Sequence, residues 1–422
     1  MRPELTLGAE RPRAATPVLT RRLRAALLAR LAPLAHGALR IEDPCGITEL
    51  GAADAALKAR VRVHDLGFYR ALVAHGSVGA AEAYGEGLWS CDDLVALMRI
   101  LVLNRAVMDG LEHGTARLAG LLLRAAHALR RNTRAGSRRN IAAHYDLGNE
   151  LFALFLSPDL MYSSALWQGR EDTLAQASAR KLERICARLE LGPSDHVLEI
   201  GSGWGGFAIH AAARYGCRVT TTTISREQQR LALERVRQAG LENRVRVLLE
   251  DYRALTGRYD KVVSIEMIEA IGAQYLPTYF GQLGRLLSER GLALLQAITI
   301  EDHRYAQALR SVDFIKRHIF PGSFIPSIQA MLAAKTAACE LALVHLEDFG
   351  LSYARTLEAW RQAFLERRPQ VRDLGFDERF IRLWEYYLAY CEGGFRERSI
   401  GVVQMLFAAP GYRPGTRPAL GP

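Results

Sequence analysis

The stretch that most constrains this chain is Asp195–Phe207, DHVLEIGSGWGGF, where a short apolar run ends in a glycine-rich turn that opens onto a second apolar segment. The pattern predicts a strand, a tight turn and a helix. Gly201 lets the chain leave the strand, Gly203 lets the backbone come close to a ligand, and Gly205 and Gly206 let the helix pack on the sheet. Around it, apolar runs at Val197–Ile200, Val219–Thr222, Val245–Leu249, Lys261–Ile265 and Ala293–Ile298 follow or alternate with helical segments, beginning with Thr173–Leu189. That is the βα rhythm of a parallel sheet, which binds its ligand at the carboxyl ends of the strands.

Gly201, Gly203 and Gly206 satisfy GxGxxG, a pattern that a loop with no ligand can also carry. A dinucleotide site places an Asp or Glu about 20 residues further on, at the tip of the second strand. Here that tip is Arg218–Ser225, RVTTTTIS, with no acid. An S-adenosylmethionine site of the class I methyltransferase kind fits better. Its expected contacts are Glu199 near the methionine amino group, Gly201, Gly203, Trp204 and Gly205 in the loop, and Thr223, Ser225 and Gln228 toward the ribose. Asp251 and Tyr252, at the end of the third strand, fall near the adenine, and Tyr162 and Ser163 complete the set.

At 422 residues, 49% hydrophobic and 24% charged, the chain suffices for two domains with full cores. The cysteines Cys45, Cys91, Cys186, Cys217, Cys339 and Cys391 form no CxxC pair and have no His at zinc spacing, so neither a disulfide framework nor a metal site is expected. No run of about 18 apolar residues exists and the N-terminus lacks a signal-peptide core, which predicts a cytoplasmic protein that does not span a membrane. A net charge of +10 nonetheless implies an anionic partner, either nucleic acid or an anionic bilayer surface.

Along the chain, Val18–Leu34 reads as a basic amphipathic helix whose leucines either pack on their own domain or lie in a membrane interface. Short strands at Ala38–Glu42, Gly46–Leu50 and Leu57–Val63 and helical periodicity through Asp65–His75 and Asp92–Leu103 make a small α+β unit. An apolar helix over Leu118–Leu129 leads into an Arg/Gly/Ser-rich stretch at 130–139. The expected division is therefore an N-terminal α+β domain over 1–134, a Rossmann-like α/β domain over 135–410 and a tail over 411–422. The C-terminal third is helical and aromatic-rich through Leu357–Arg367 and Phe380–Phe395, before a strand at Gly401–Phe407.

Several strings then coincide: HYDLGN at His144–Asn149, YSSALW at Tyr162–Trp167, LEIGSGWGG at Leu198–Gly206, TISREQQ at Thr223–Gln229, EMIEAIG at Glu266–Gly272, FPGSFIPS at Phe320–Ser327 and YYLAYCEGGFR at Tyr386–Arg396. Together they resemble the cyclopropane-fatty-acyl-phospholipid synthase family over about residues 65–408. The resemblance implies methyl(ene) transfer from S-adenosylmethionine to the cis double bond of an unsaturated acyl chain in a membrane phospholipid. It also implies peripheral association with the inner, anionic membrane face and a bicarbonate ion as proton acceptor. Carried over by position, the bicarbonate contacts are the Ser164 backbone, Glu269, Gln296, Ile298 and Tyr353, with Glu269 orienting the anion. Aromatics such as Tyr145, Trp204, Tyr353 and Tyr390 are available to stabilise a carbocation.

Three positions depart from the family pattern: Ser164 stands for a usual Cys, Gln296 for a frequent His and Ala270 for the His that commonly follows the pocket glutamate. A backbone contact survives the first and Gln still donates in the second, but the capacity to titrate is lost. The product, ring or methyl or methylene branch, stays open. Cys391 aligns with a cysteine sometimes named as an active-site residue, yet no His or Lys adjoins it to form a thiolate. A soluble amine substrate and a catalytically inactive lipid-binding homologue remain as alternatives. Nucleic acid is disfavoured because the arginines are not interleaved with aromatics and no base-clamping motif is present. The oligomeric state, a homodimer included, is left open.

Overall fold

The computed structural model describes residues 18–107, 136 and 147–414. The expected helix at Leu118–Leu129, nearly all of the boundary stretch 130–139, the division at 134/135, His144 and Tyr145 lie outside them.

The N-terminal unit opens with α1 (Val18–Leu31), β1 (Ala38–Asp43), β2 (Gly46–Gly51), β3 (Lys58–Val63), α2 (Gly67–Gly85), β4 (Trp89–Cys91) and α3 (Leu94–Leu103). Its four strands pair in the order β2-β1-β3-β4. The alternation in KARVRV sends Ala59, Val61 and Val63 inward and leaves the charged residues outside. Leu27 and Leu31 of α1, with Leu34, pack into the core of the same unit, while Arg24 reaches the buried Asp43 carboxylate at 2.5 Å. The own-domain reading of this helix is therefore the one realised for its leucine face. Helix α2 runs further than the periodicity predicted, turning at Gly76, whose φ of +58° suits glycine.

After α4 (Asn149–Ala153) and α5 (Leu174–Arg188), the chain alternates through β5 (His196–Ile200), α6 (Gly206–Tyr215), β6 (Arg218–Thr223), α7 (Arg226–Gln238), β7 (Val245–Leu249), β8 (Tyr259–Ile265), α8 (Leu276–Leu286) and β9 (Leu287–Ile300). It continues with α9 (Asp302–Arg310), α10 (Ile328–Ala338), β10 (Ala342–Asp348), α11 (Gly350–Glu366), α12 (Arg368–Asp373), α13 (Glu378–Arg396) and β11 (Ile400–Ala408). Seven strands form one sheet in the order β10-β11-β9-β8-β5-β6-β7. β9, β8, β5, β6 and β7 are mutually parallel, whereas β11 runs antiparallel to both β9 and β10. This is the class I methyltransferase arrangement that the rhythm implied. The strand order reverses beside β5, between β6 and β8, which makes the carboxyl ends of β5 and β8 the crevice of the sheet.

One hydrophobic cluster runs from Leu27 and Trp89 through Trp360 and Trp384 to Phe395, joining the N-terminal unit to the C-terminal helices. Helix α13 packs on both α2 and α3. Gly393 permits the close approach to α3, since a Cβ there would lie 2.6 Å from Met98 Cβ.

Candidate active site

The glycine turn has the conformation its composition predicted. Gly201, Gly203 and Gly205 take φ of +96°, +48° and +85°, values that only glycine adopts without strain. The Gly201 and Ser202 amides donate to Thr222 O at 3.0 and 2.8 Å, tying the turn to β6. A Cβ on Gly206 would lie 2.6 Å from Asp159 O, which accounts for that glycine by packing. A Cβ on Gly203 would meet no protein atom within 4 Å, so the loop backbone borders open space there. Glu199, on β5 just before the turn, is 2% exposed, and its Oε2 has no partner among the described residues. Burial pushes its carboxyl up to about 8.

At the β6 tip, Thr223 Oγ1 donates to Gln228 Oε1 at 2.7 Å, and Ser225 caps α7 by accepting from the Gln228 amide at 3.2 Å. Asp251 and Tyr252 do sit past the end of β7, but the Asp251 carboxylate is engaged by Arg253 at 2.7 Å and the Tyr252 ring packs 5.6 Å from that of Tyr279. Trp204 is 1% exposed, donates from Nε1 to Asn149 Oδ1 at 2.7 Å, and packs its ring 5.0 Å from Phe152. Its side chain belongs to the core and does not line the loop's open side. Tyr162 and Tyr387 share a hydroxyl hydrogen bond of 2.9 Å, and Ser163 Oγ accepts from Lys181 Nζ at 2.9 Å. Lys181 is wholly buried. Burial lowers its ammonium to about 8, opposed by the charges of Asp159, Glu266 and Glu199.

The residues expected to hold bicarbonate come from four separated segments, Gln296 and Ile298 sharing β9, and the fold brings them together around two carboxyl groups. Ser164 N donates to Glu266 Oε1 at 2.9 Å, Gln296 Nε2 donates to the same oxygen at 2.8 Å, and Tyr353 Oη donates to Glu266 Oε2 at 2.7 Å. Ile298 N donates to Glu269 Oε1 at 2.6 Å, while Glu269 Oε2 is buried without a partner among the described residues. The donors carried over for a free anion are thus already engaged by side chains of this protein. Burial raises both carboxyls, Glu269 to about 8 with the Glu266 charge adding to the effect. The three donors and Lys181 draw Glu266 back toward its ionised form.

A polar chain fixes the orientation of Gln296. Its Oε1 accepts from Gln404 Nε2 at 3.0 Å, and Gln404 Oε1 accepts from Arg188 Nη1 at 3.0 Å. The Gln296 amide therefore presents its NH2 to Glu266. Tyr353 is held by stacking on Phe395, with ring centroids 4.4 Å apart. Aromatic rings of Tyr162, Trp360, Phe320 and Tyr387 adjoin one another beside this network. Cys391, on α13, has its thiol pushed well up by burial, with Asp313 adding to the effect. That environment opposes a thiolate.

Glu266 is the side chain at the centre of this network, and residue-by-residue reading passed over it. Two signals mark it: it lies three residues before Glu269 immediately after β8, and it takes φ of +49°, which is uncommon for a residue with a Cβ.

Fold and site together define a class I S-adenosylmethionine-dependent methyltransferase. The family model "Mycolic acid cyclopropane synthetase" matches residues 132–405. A tuberculostearic acid methyltransferase of Mycobacterium tuberculosis is 38% identical over 85% of this chain and 84% of its own. A cyclopropane-fatty-acyl-phospholipid synthase of Escherichia coli is 36% identical over 85% of this chain and 90% of its own. Among solved structures, the mycolic acid cyclopropane synthase CmaA1 complexed with SAH and CTAB superposes with a TM-score of 0.60 at 29% identity, covering 64% of this chain and 98% of that one. The chain belongs to this cyclopropane synthase family and is an enzyme.

Proposed function

We propose that the enzyme transfers a methyl(ene) carbon from S-adenosylmethionine to the cis double bond of an unsaturated fatty acyl chain in a membrane phospholipid. The observation that carries the reading is the juxtaposition, at the crevice between β5 and β8, of an open glycine cradle at Gly203 and a buried, hydrogen-bonded carboxyl pair beside an aromatic cluster. The cradle and the partnerless Glu199 oxygen suit the cofactor's nucleoside and ammonium ends, with Thr223, Ser225 and Gln228 at the ribose side.

When bound, S-adenosylmethionine supplies an electrophilic methyl on a sulfonium. The protein's part is to hold the alkene in line with it and exclude water, because a C=C bond is a poor nucleophile. Aromatic faces stabilise the cation that forms on the chain. Ring closure, or formation of a branch with a methylene, then needs only the loss of one proton.

A soluble amine as substrate is not favoured. The likeness to coclaurine N-methyltransferase, at 20% identity, is one of fold alone. Peripheral binding to an anionic membrane face completes the proposal, supported by the net charge of +10 and the exposed Arg21, Arg22 and Arg30 of α1. Among the described residues no helix is long and apolar enough to cross a membrane.

Mass spectrometry of membrane lipids from cells expressing the chain tests the reading. The expected result is acyl chains heavier by one CH2 unit, and their hydrogen count separates a ring or methylene from a saturated methyl branch. Unchanged acyl chains alongside a methylated soluble amine would refute it.

A further inference from the structure

We propose that the Glu266 carboxylate is the proton acceptor of this enzyme, standing in place of the bicarbonate ion that the family resemblance implied. This rests on the acyl methyl-transfer reading above. A glutamate carboxylate and bicarbonate present the same planar pair of oxygens, and both Glu266 oxygens are engaged: Oε1 by the Ser164 amide and the Gln296 amide, Oε2 by the Tyr353 hydroxyl. Three of the five contacts expected for the free ion thus converge on this side chain. The other two, Ile298 N and Glu269, are paired with each other. A bicarbonate competing for these donors would have to displace Glu266 or lie against its charge in a buried site, where like charges repel strongly. The residues present do not fit a free anion.

Position and backbone agree. Glu266 follows the last residue of β8, the strand next to β5, and a Cβ on Gly201 of the cofactor loop would lie 3.1 Å from Met267 Cγ, one residue along. The carboxylate therefore stands at the border of the glycine turn and the acyl-side aromatics. Its φ of +49° places a side chain where glycine would be relaxed, and the Glu266 amide donates to Gln296 O at 2.8 Å to hold that conformation. Left-handed backbone at a non-glycine residue is retained where surrounding contacts over-determine it, and such positions cluster at functional sites. The orienting chain Arg188–Gln404–Gln296 ends on the same carboxylate.

The step balances. As the alkene π pair bonds to the methyl carbon, the C–S pair stays with sulfur as the thioether and the neighbouring chain carbon becomes a cation. Glu266 then takes one proton from the added methyl group, and the C–H pair closes the ring onto the cation. If a hydride has first shifted along the chain, the same proton loss instead gives an exocyclic methylene. Glu266 is left as the neutral acid and returns the proton to water after product departs. Burial makes it more basic than a surface carboxylate, as this role requires.

The test uses the purified full chain, phospholipid vesicles with unsaturated chains and carbonate-free buffer. Parent turnover should change by less than about twofold on adding bicarbonate. Glu266→Gln and Glu266→Gly should lose about 100-fold or more, the scale of a removed general base, with S-adenosylhomocysteine affinity and Tm retained. Gly relaxes the left-handed backbone and frees the three donors, so added bicarbonate should restore at least about tenfold of its turnover. Line broadening of 13C-bicarbonate gives a readout independent of turnover: binding by the Glu266→Gly chain and none by the parent. A parent that binds bicarbonate or needs it, a Glu266→Gln chain at parental turnover, or a Glu266→Gly chain that neither binds nor responds to bicarbonate would overturn the proposal. A parent inactive on every acyl lipid would remove the functional reading instead, and the binding comparison would still decide whether Glu266 fills the anion site.

Discussion

Glu269 offers a test in which stability and catalysis must move in different ways. Its carboxyl is raised from 4.5 to about 8, first by burial and then by the Glu266 charge. An acid whose folded pKa is raised binds more protons in the folded chain than in the unfolded one between those two values. Stability from this group is therefore fully present below about pH 4.5 and is lost as pH rises toward 8. At pH 7 the loss is on the order of 3 kcal/mol, taking 1.36 kcal/mol for each pH unit travelled through the window. Glu269→Gln keeps an acceptor for the Ile298 amide and removes the charge that drives this loss. Calorimetric scans should show the variant close to the parent at pH 5 and clearly more stable at pH 8. Because the parental group is already largely neutral at pH 7, turnover there should stay within about threefold of the parent. A stability difference that does not vary with pH would refute the burial argument. A 100-fold loss of turnover at unchanged Tm and cofactor affinity would show that the Glu269 charge itself is used, as its first assignment to bicarbonate held.

Gly203→Val would place a branched side chain in the open cradle and force it into left-handed backbone, so isothermal titration should show S-adenosylmethionine affinity reduced by about 100-fold or more. Parental affinity in this variant would move the cofactor elsewhere. Gln404→Leu should let the Gln296 amide lose its orientation and lower kcat about tenfold with KM unchanged, whereas a rise in KM alone would place Gln404 in substrate binding. Cys391→Ser should retain turnover within about threefold, since the buried thiol is held away from its thiolate; inactivity with normal folding would restore a covalent role. Co-sedimentation with anionic vesicles should weaken as salt rises, because each basic residue near the surface contributes about 1 kcal/mol before screening. Binding indifferent to salt and to anionic lipid would remove the electrostatic argument.

The sequence alone determined what depends on neighbours along the chain. The glycine turn at Asp195–Phe207 was legible because only glycine takes its backbone angles freely, and the parallel strands because buried strands are short apolar runs between helical periods. Strand β7 was read at Val245–Leu249, as it is found. Edge strand β10, Ala342–Asp348, was passed over, since it lies at the sheet margin, largely exposed, and its apolar run Ala342–Val344 breaks off at His345. The leucine face of α1 had two partners open to it on periodicity alone, and only the position of the first sheet decided for Leu27 and Leu31. Trp204 sat in a ligand loop by sequence, yet its ring turned into the core to meet Phe152 and Asn149. Glu266 shows the limit most sharply. Its role depends on Ser164, Gln296 and Tyr353, up to 102 residues away in the chain, converging within hydrogen-bond reach of one carboxylate. No local pattern encodes that convergence. It is created when α11 and the segment around Ser164 close over the ends of β8 and β9, and the burial that follows is what shifts the proton affinities on which the chemistry rests.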